Sequence, residues 1–339
     1  MTTAKVTILI PTYRRPELLA QALRSARQQT APGESYEILV VDNDPTPGSE
    51  TERLMEGMRA PNLRYIRNEE NLGGYGNWNR GFHLAETEWV CLLHDDDLLL
   101  PSCIERVLYI LSWFETSSLG AVIPWQCNLY DDPKEEYAEK RERERNWKAR
   151  LDTRLQEKTA GRLWSVGLFD NYMVCSAYPA LSGGALLRRS AVLELGGFGT
   201  KWPCEDIFLL NRLSQRYECL LIGEQWGWYR FGRNNEWAKP GELVKWDLAK
   251  KRFREEAARY DVRCGIYHRI FGRGMCIFDR AETVRFARHR GVSVEESAYT
   301  WIQDGPCTAF LGRLCRFQRN VWHIWMSVRA ILFGKRLKS

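Results

Sequence analysis

The 339-residue sequence lacks several patterns that would place it in a common class of protein. No apolar run approaches the ~18 residues of a membrane span, and the first residues lead directly into a predicted strand. We therefore expect neither a membrane span nor a signal peptide. The ten cysteines include no C-x-x-C pair, so neither a zinc site nor a disulfide framework is indicated. They are typical of small buried side chains in a reducing compartment, and we expect a cytoplasmic protein.

The chain also lacks the phosphate-binding motifs of the common nucleotide-binding folds. Neither the lysine-bearing loop of nucleotide hydrolases nor the G-x-G-x-x-G fingerprint occurs in it. A doubly wound oxidoreductase or a nucleotide hydrolase is therefore disfavoured. The net charge is only +6, a modest value for a chain of this length, and we expect no nucleic-acid partner.

The composition is that of a globular protein. Hydrophobic residues make up 44% of the chain and charged residues 27%, which argues against disorder. The aromatic fraction is 12% and includes 14 tryptophans, whose rings suit sugar faces, interfaces and membrane edges as well as a core. The length allows one large domain or two ordinary ones.

The segment Leu92–Pro101 places Asp95, Asp96 and Asp97 directly after an apolar run. Adjacent carboxylates repel one another in a poorly hydrated place unless a cation offsets their charge. Mg²⁺ and Mn²⁺ prefer oxygen ligands, commonly one or two carboxylates together with substrate phosphates. The segment is therefore a candidate metal site at the carboxyl end of a buried strand, where open α/β sheets bind ligands. By itself, the triplet is equally compatible with a solvated acidic turn.

The first part of the chain predicts a strand, a helix and a second strand. Val6–Ile10 is a β-branched run that ends at Pro11, and Ile38–Val41 is an apolar run that ends at Asp42. Between them, apolar residues at helical spacing follow Pro16, a residue that suits the first turn of a helix. This order within ~40 residues implies a βαβ unit with parallel strands.

Further segments continue the predicted fold. The glycine-rich stretch Asn71–Gly81 opens a helix, and glycines there allow a backbone to approach an anionic ligand. Ser102 and Glu105 are predicted to form the capping box of the next helix. Glu205 and Asp206 open a later helix, where the alternative to a catalytic role is stabilisation of the helix dipole.

The middle of the chain changes composition. Gly120–Pro124 predicts a strand, and the core resumes at Ala185, followed by a helix from Ser190 that ends at Gly196. Between these segments, about residues 131–158 are mostly charged with mixed signs. This charged segment is predicted to be a solvated excursion without a catalytic role.

Taken together and in this order, these segments resemble the family 2 nucleotide-sugar glycosyltransferases, which have the GT-A fold. The resemblance covers about residues 4–235. It implies an α/β fold of the GT-A type: Rossmann-like, doubly wound and mostly parallel. We accordingly expect a GT-A domain over residues 1–235 and a helical C-terminal region over residues 236–339.

The resemblance also implies a role for each motif. The implied nucleotide-binding residues are Pro11, Thr12, Tyr13, Arg14, Asp42, Gly74, Asn79 and Asp95. Asp96 and Asp97 would hold Mn²⁺ or Mg²⁺, and Asp206, with Glu205 beside it, would activate the acceptor.

Two of these residues suggest the base of the donor. Tyr13 would stack on a pyrimidine and Asp42 would accept its ring N–H, which favours uridine or thymidine diphosphate sugars. Arg230 follows a further predicted strand and would either reach the diphosphate or form a structural salt bridge.

The sequence departs from the family pattern at two positions. His94 stands where the family often has the first aspartate of its acidic motif, and Trp78 stands where an arginine usually precedes Asn79. The combination of Asn77–Asn79 with the acidic segment resembles the subset that builds bacterial surface polysaccharides. The Gln-x-x-Arg-Trp element of processive synthases is missing, which favours the addition of a single sugar.

The predicted activity is metal-dependent, inverting transfer of a sugar from a nucleoside-diphosphate donor to a hydroxyl group. The donor would be a UDP-sugar or, as a second choice, a dTDP-sugar, and the acceptor a glycan or a lipid-linked glycan in surface polysaccharide biosynthesis. The alternative is a catalytically silent protein that binds a nucleotide sugar without consuming it.

The C-terminal segment, residues 306–339, has a different character. It contains seven basic residues and no Asp or Glu. Its apolar residues recur every three or four positions and so share one face of a helix: Phe310, Leu314, Phe317, Val321, Trp325, Val328 and Leu332. We expect this helix to lie on the anionic inner face of the cell membrane. The alternative is a helix packed on the catalytic domain or on a partner subunit.

Overall fold

The structure of the protein is a computed structural model. It describes residues 4–113, 118–131, 140, 151, 154–155, 157–167, 170, 172–173, 181, 183–231, 241–290, 293–295, 298–302 and 308–336. The predicted charged excursion at about residues 131–158 lies almost entirely outside the described residues, as do both ends of the segment 306–339.

A large mixed sheet forms the frame of the described chain. Its ten strands are β1 (Val6–Thr12), β2 (Tyr36–Asp42), β3 (Leu63–Arg67), β4 (Trp89–Leu92), β5 (Leu98–Leu99), β6 (Leu119–Tyr130), β7 (Arg162–Ser165), β8 (Ala185–Arg188), β9 (Glu218–Phe231) and β10 (Lys335–Arg336). The neighbour order is β10-β7-β9-β6-β8-β4-β1-β2-β3, and β5 pairs with β9. Of these described strands, β5, β7 and β8 run against the rest, so the sheet is mostly parallel, as predicted.

The helices follow the strands in a largely alternating order. They are α1 (Pro16–Arg27), α2 (Glu50–Glu56), α3 (Gly74–Leu84), α4 (Cys103–Leu111), α5 (Arg189–Glu194), α6 (Glu205–Arg216), α7 (Glu242–Tyr260), α8 (Val262–Arg290) and α9 (Thr308–Phe333). The predicted βαβ unit is confirmed, because β1 and β2 pair in parallel with Val6 opposite Tyr36 and Thr12 opposite Asp42.

Both faces of the central strands are buried, because helices cover each side. Along β1, Leu9 packs with Phe82 of α3, whereas Ile8 and Ile10 pack on the other face with Leu19 of α1. This alternation follows from the two-residue period of a strand. It also explains why the strands are continuous apolar runs in the sequence.

The predicted capping box of α4 is wrong. Ser102 occupies the N-cap position but its side chain makes no capping hydrogen bond. The Glu105 carboxylate instead accepts a hydrogen bond from the Thr30 hydroxyl at 2.7 Å. This contact to Thr30, which follows α1, takes the place of the capping bond within α4. It ties α4 to the βαβ unit.

The C-terminal helices return the chain to the sheet. β10 pairs with β7, and the Arg329 guanidinium of α9 donates to the Ser165 carbonyl at 2.9 Å. Cys315, Met326 and Ala330 form the buried side of α9. Within the described residues, no helix combines the length and the apolar character needed to cross a bilayer.

Candidate active site

The candidate site lies where β1, β2 and β4 end at one edge of the sheet. These strands are parallel, so the polar residues that follow them lie near one another. The structure brings the end of β1 onto the acidic segment: the Thr12 hydroxyl donates to Asp95 Oδ2 at 2.9 Å. Burial, followed by the charge of Asp96, raises the pKa of Asp95 to about 6.

Arg15 is a site residue that the sequence did not single out. One of its terminal nitrogens lies 3.4 Å from Asp95 Oδ1 and 3.1 Å from Asp96 Oδ2. The guanidinium thus offsets part of the carboxylate repulsion that the sequence predicted. A signal was available, since a cation three residues beyond β1 faces the same sheet edge as the acids.

His94, Asp96 and Asp97 form a cluster suited to a metal ion. One potential ligand atom from each lies within 4.8 Å of the others. Asp97 is fully buried, and its Oδ2 has no hydrogen-bond partner among the described residues. Burial, together with the charge of Asp96, raises the pKa of Asp97 well above its usual range. A carboxyl group of this kind is ionised only when a cation compensates its charge, so the residues fit a divalent ion.

His94 adds a nitrogen to this cluster. Its Nδ1 lies 3.6 Å from Asp97 Oδ2, and its buried Nε2 has no hydrogen-bond partner in the described part of the chain. Burial lowers the pKa of His94, which favours the neutral imidazole. A neutral imidazole is the form that coordinates metals.

Arg230 holds the acidic segment in place. Its backbone N–H donates to Asp97 Oδ1 at 2.9 Å, and its Nε donates to the Asp96 carbonyl at 2.8 Å. The remaining guanidinium nitrogens contact Asp131 and Gln21. Of the two roles predicted for Arg230, these contacts correspond to the structural salt bridge. Arg230 lies within β9, whereas the sequence predicted that it follows that strand.

The carboxylates at the end of β2 already have hydrogen-bond or ion-pair partners within the protein. Asp42 is buried and accepts from the Tyr65 hydroxyl at 2.9 Å and from the Asp44 N–H at 3.0 Å. Arg14 forms an ion pair with Asp44 at 2.9 Å, which lowers the pKa of Asp44 to about 2. Tyr13 is 39% exposed at the sheet edge, and the Arg14 guanidinium lies over its ring, 5.1 Å from the centroid. The nucleotide contacts of Tyr13, Arg14 and Asp42 stay predictions.

The start of α3 has an exposed backbone and two asparagines whose side chains are hydrogen-bonded within the protein. Gly73 adopts a left-handed conformation with φ 73°, and Gly74 begins the helix on the exposed side of the sheet edge. The side chain of Asn77, the first residue of the Asn77–Asn79 element, donates to the Val41 carbonyl at 2.9 Å and ties α3 to β2. Asn79 also has partners within the protein, and its predicted nucleotide contact stays a prediction. Its amide donates to the Phe198 carbonyl and accepts from the Phe198 N–H, both at 2.8 Å.

An aromatic cluster connects the acidic segment with α6. The Trp78 ring lies 4.7 Å from that of His94 and 5.1 Å from that of Tyr75, measured between ring centroids. The Tyr75 hydroxyl in turn accepts a hydrogen bond from the Glu205 backbone N–H at 3.2 Å. Sequence patterns did not single out Tyr75, because its partner is 130 residues away.

The two acids that open α6 have different surroundings. Glu205 is buried, and its carboxylate accepts from the N–H groups of Gly199 at 3.1 Å and Trp202 at 3.3 Å. Asp206 is half-buried, and burial raises its pKa to about 6, although the nearby N–H groups of Ile207 and Leu181 lower it. Glu205 is therefore engaged in holding a loop, whereas Asp206 has the pKa of a group that can exchange protons near neutrality.

The aromatic cluster also links Asp206 to the acidic segment. The Trp78 ring packs against His94, and Tyr75, which packs against Trp78, accepts from the N–H of Glu205, the residue before Asp206. The main-chain N–H groups of Leu181 and Gly183 lower the pKa values of Asp206 and Asp97, respectively. These contacts bring the predicted base near the predicted metal ligands.

Comparisons with known proteins identify the family and the structures that this chain resembles. The family model described as Glycosyl transferase family 2 matches residues 7–174. The galactofuranosyltransferase GlfT1 of Mycolicibacterium smegmatis is 34% identical over 134 residues, which are 39% of this chain and 42% of that protein. The chain thus spans less than half the length of this curated relative.

Two solved structures resemble the whole chain. Residues 1–349 of S. aureus TarS in complex with UDP-GlcNAc give a TM-score of 0.55 at 12% identity, with 96% of this chain and 91% of that chain covered. The mannosyltransferase PcManGT from Pyrobaculum calidifontis, in complex with GDP-Man and Mn²⁺, gives a TM-score of 0.53 at 16% identity, with 97% and 87% covered. These similarities confirm the predicted GT-A-like fold.

Proposed function

The chain belongs to glycosyl transferase family 2, and on that premise we propose that it is a metal-dependent, inverting glycosyltransferase. It moves one sugar from a nucleoside-diphosphate donor to a hydroxyl of a glycan or a lipid-linked acceptor in bacterial surface polysaccharide biosynthesis. The observation that carries the proposal is the cluster of His94, Asp96 and Asp97 at the sheet edge where the Thr12 hydroxyl, at the end of β1, donates to Asp95.

The donor is a nucleotide sugar, with UDP-sugars favoured and dTDP-sugars as the second choice. TarS and PcManGT were solved with UDP-GlcNAc and GDP-Man, which supports a nucleotide-sugar donor for this fold. The exposed ring of Tyr13 provides a stacking surface for the base. The open start of α3 at Gly74 is suited to the diphosphate, because a helix N-terminus favours anions.

Asp96 and Asp97, with His94 beside them, are the residues that would hold Mn²⁺ or Mg²⁺. The imidazole nitrogen favours Mn²⁺, because Mg²⁺ takes oxygen ligands almost exclusively. When bound, the ion offsets the negative charge that develops on the departing diphosphate.

Asp206 would act as the general base. A sugar hydroxyl is a poor nucleophile until its proton is removed, and a carboxyl group with a pKa of about 6 is ionised at neutral pH. Attack from the side opposite the diphosphate inverts the anomeric carbon. Glu205 would position this base by holding the loop that precedes α6.

The test is incubation of the purified protein with UDP-, dTDP- and GDP-sugars in the presence of Mn²⁺. Release of nucleoside diphosphate is followed by ion-exchange chromatography, and donor binding by calorimetry. We expect slow hydrolysis of one donor class and its loss on addition of EDTA. Binding of a donor that is never consumed would instead support the silent nucleotide-sugar-binding protein.

A further inference from the structure

Helix α9 presents two different apolar sides. One side packs into the protein through Cys315, Met326 and Ala330. The side that the sequence predicted as a membrane face remains exposed, with Phe310 at 61% and Phe317 at 64% of their surface accessible. The packed-helix alternative therefore accounts for only one side of α9.

Helix α8 carries a second exposed apolar stripe, which the sequence did not reveal. Val262, Ile266 and Ile270 recur at intervals of four residues, so they lie on one side of the helix. Their exposed fractions are 78%, 51% and 63%. Three large aliphatic side chains that stay exposed one helical turn apart are an unusual surface for a helix.

The two stripes lie on the same side of the α8–α9 pair. The helices are antiparallel, because Tyr267 bonds to Gln318 whereas Phe271, further along α8, contacts Cys315, which is earlier in α9. Successive residues of an α-helix are about 100° apart around its axis. On each helix, the exposed stripe lies roughly 120° around the axis from the residues that contact the other helix. The direction of this rotation is the same for both helices when each is viewed from its own N-terminus. In an antiparallel pair, a shared sense of rotation brings both stripes to one side.

We call this surface the hairpin face. It consists of these exposed apolar residues: Val262, Ile266, Ile270, Phe310, Phe317, Val321, Ile324, Trp325 and Leu332. It is continuous across two helices, which makes it larger than the stripe predicted from residues 306–339.

The charge around the hairpin face is strongly positive. Helix α8 contains seven arginines, and residues 308–336 contain six basic residues, against only Asp279 and Glu282. Asp279 is buried in an ion pair with Arg254, so it contributes little to the surface. Arg269 and Arg273 are exposed one turn beyond Ile266 and Ile270.

This positive charge indicates which of two partners, a second copy of the chain or an anionic lipid surface, binds the hairpin face. A second copy of the chain would bring the same positive charge against itself, and like charges across an interface oppose association. An anionic lipid surface satisfies both features, because it accepts apolar side chains below its headgroups and attracts arginines at their level.

We propose that the hairpin face docks the protein on an anionic membrane surface, with α8 and α9 lying in the plane of the headgroups. The aromatic side chains Phe310, Phe317 and Trp325 enter the acyl boundary, and the arginines contact lipid phosphates. Docking does not depend on the proposed glycosyl transfer, because lipid binding requires no turnover.

The test is flotation of the full-length protein with two kinds of vesicle. One contains equal parts of phosphatidylcholine and phosphatidylglycerol, and the other contains phosphatidylcholine alone. We expect the protein to float with the anionic vesicles, to remain at the bottom with the neutral ones, and to detach as salt is raised.

Matched variants identify the surface. Phe317→Ser and Ile270→Ser each remove one exposed apolar side chain from a different helix, and each should lower the partition coefficient by about tenfold. Leu72→Ser, which alters an exposed apolar residue just before α3 and outside the hairpin face, should bind the vesicles as the wild type does. Because the altered side chains are exposed, unfolding temperatures should stay unchanged.

Three outcomes would overturn the proposal. The first is wild-type protein that stays at the bottom with anionic vesicles. The second is a pair of variants that float as well as the wild type. The third is a wild-type dimer that ignores vesicles and becomes a monomer on Phe317→Ser, which would make the face an interface between copies.

Discussion

Trp78 packs against His94, with 4.7 Å between the two ring centroids. These are the two positions at which the sequence departs from the family pattern, and the fold makes them neighbours. In that pattern the same positions hold an arginine and an aspartate, which at this separation would attract each other. Here an aromatic contact joins the two side chains, so we infer that changes at the two positions are coupled.

The first prediction follows from this contact. His94→Asp adds a carboxylate to an already acidic cluster beside an apolar ring, and it should lower donor turnover with Mn²⁺. Adding Trp78→Arg should recover part of the loss, because it restores a cation for the new carboxylate. The measurement is a double-mutant cycle on the rate of donor hydrolysis with Mn²⁺ and with Mg²⁺. Strictly additive effects of the two substitutions would contradict the coupling.

The second prediction concerns Asp96. Asp96→Ala removes a half-buried carboxylate from the proposed metal site and should abolish metal-dependent transfer while weakening donor binding. The fold should survive, because losing Asp96 also reduces carboxylate repulsion next to Asp95 and Asp97. Calorimetric titration with Mn²⁺ and circular dichroism measure the two effects. Glu86→Ala is the matched control, since it removes an exposed carboxylate whose partner, Arg64, lies elsewhere. Full activity of Asp96→Ala would rule out this ligand assignment.

The third prediction concerns pH. A base must be ionised to accept a proton, and burial raises the pKa of Asp206 to about 6. The turnover rate should therefore fall as pH drops through about 6 and level off above it. Asp206→Asn keeps the shape of the side chain but removes the proton acceptor, so turnover should drop by about 10²–10⁴ with little change in donor affinity.

Asp95 provides a check on this assignment, because its pKa is also raised to about 6. Its titration should change donor affinity, whereas that of Asp206 should change turnover at saturating donor. Measuring the dissociation constant of the donor against pH separates the two. An active Asp206→Asn enzyme would place the base elsewhere.

The fourth prediction concerns Tyr75. Tyr75→Phe removes the hydroxyl that accepts the Glu205 N–H at 3.2 Å, leaving a helix-end donor without that partner. We expect a loss of about 0.5–1.5 kcal/mol in the free energy of unfolding, together with lower turnover and unchanged donor affinity. Tyr260→Phe alters an exposed tyrosine and serves as the control. Weaker donor binding in Tyr75→Phe, with turnover intact, would contradict a role at α6.

Most of the fold could be predicted from the sequence, because strands and helices follow from the spacing of residues that are near one another in the chain. Periodicity located the strands and helices of the βαβ unit, and the parallel pairing placed Thr12, Asp42 and the acidic triplet at one edge of the sheet. A helix was also correctly predicted to begin near Ser190 and to end before Gly196, which adopts φ 79°.

The side-chain partners were much less predictable, because they depend on which distant segments meet. Asn79 bonds to Phe198, 119 residues away, and Glu105 bonds to Thr30 instead of capping its own helix. Arg15 was not predicted as a site residue, although its position three residues beyond β1 places it at the same sheet edge as the acids. The stripe on α8 was missed for a related reason, since only the packing of the neighbouring helices shows which side stays exposed.

The N–H groups of Leu181 and Gly183, which lower the pKa values of Asp206 and Asp97, have an evolutionary consequence. Both groups belong to the main chain, and every residue except proline supplies such a group. Their effect on the two carboxyl groups therefore does not depend on side-chain chemistry. The family match ends at residue 174, before these residues and before Asp206. A lineage can thus change the part of the chain that we propose to meet the acceptor while it keeps the part that we propose to meet the nucleotide.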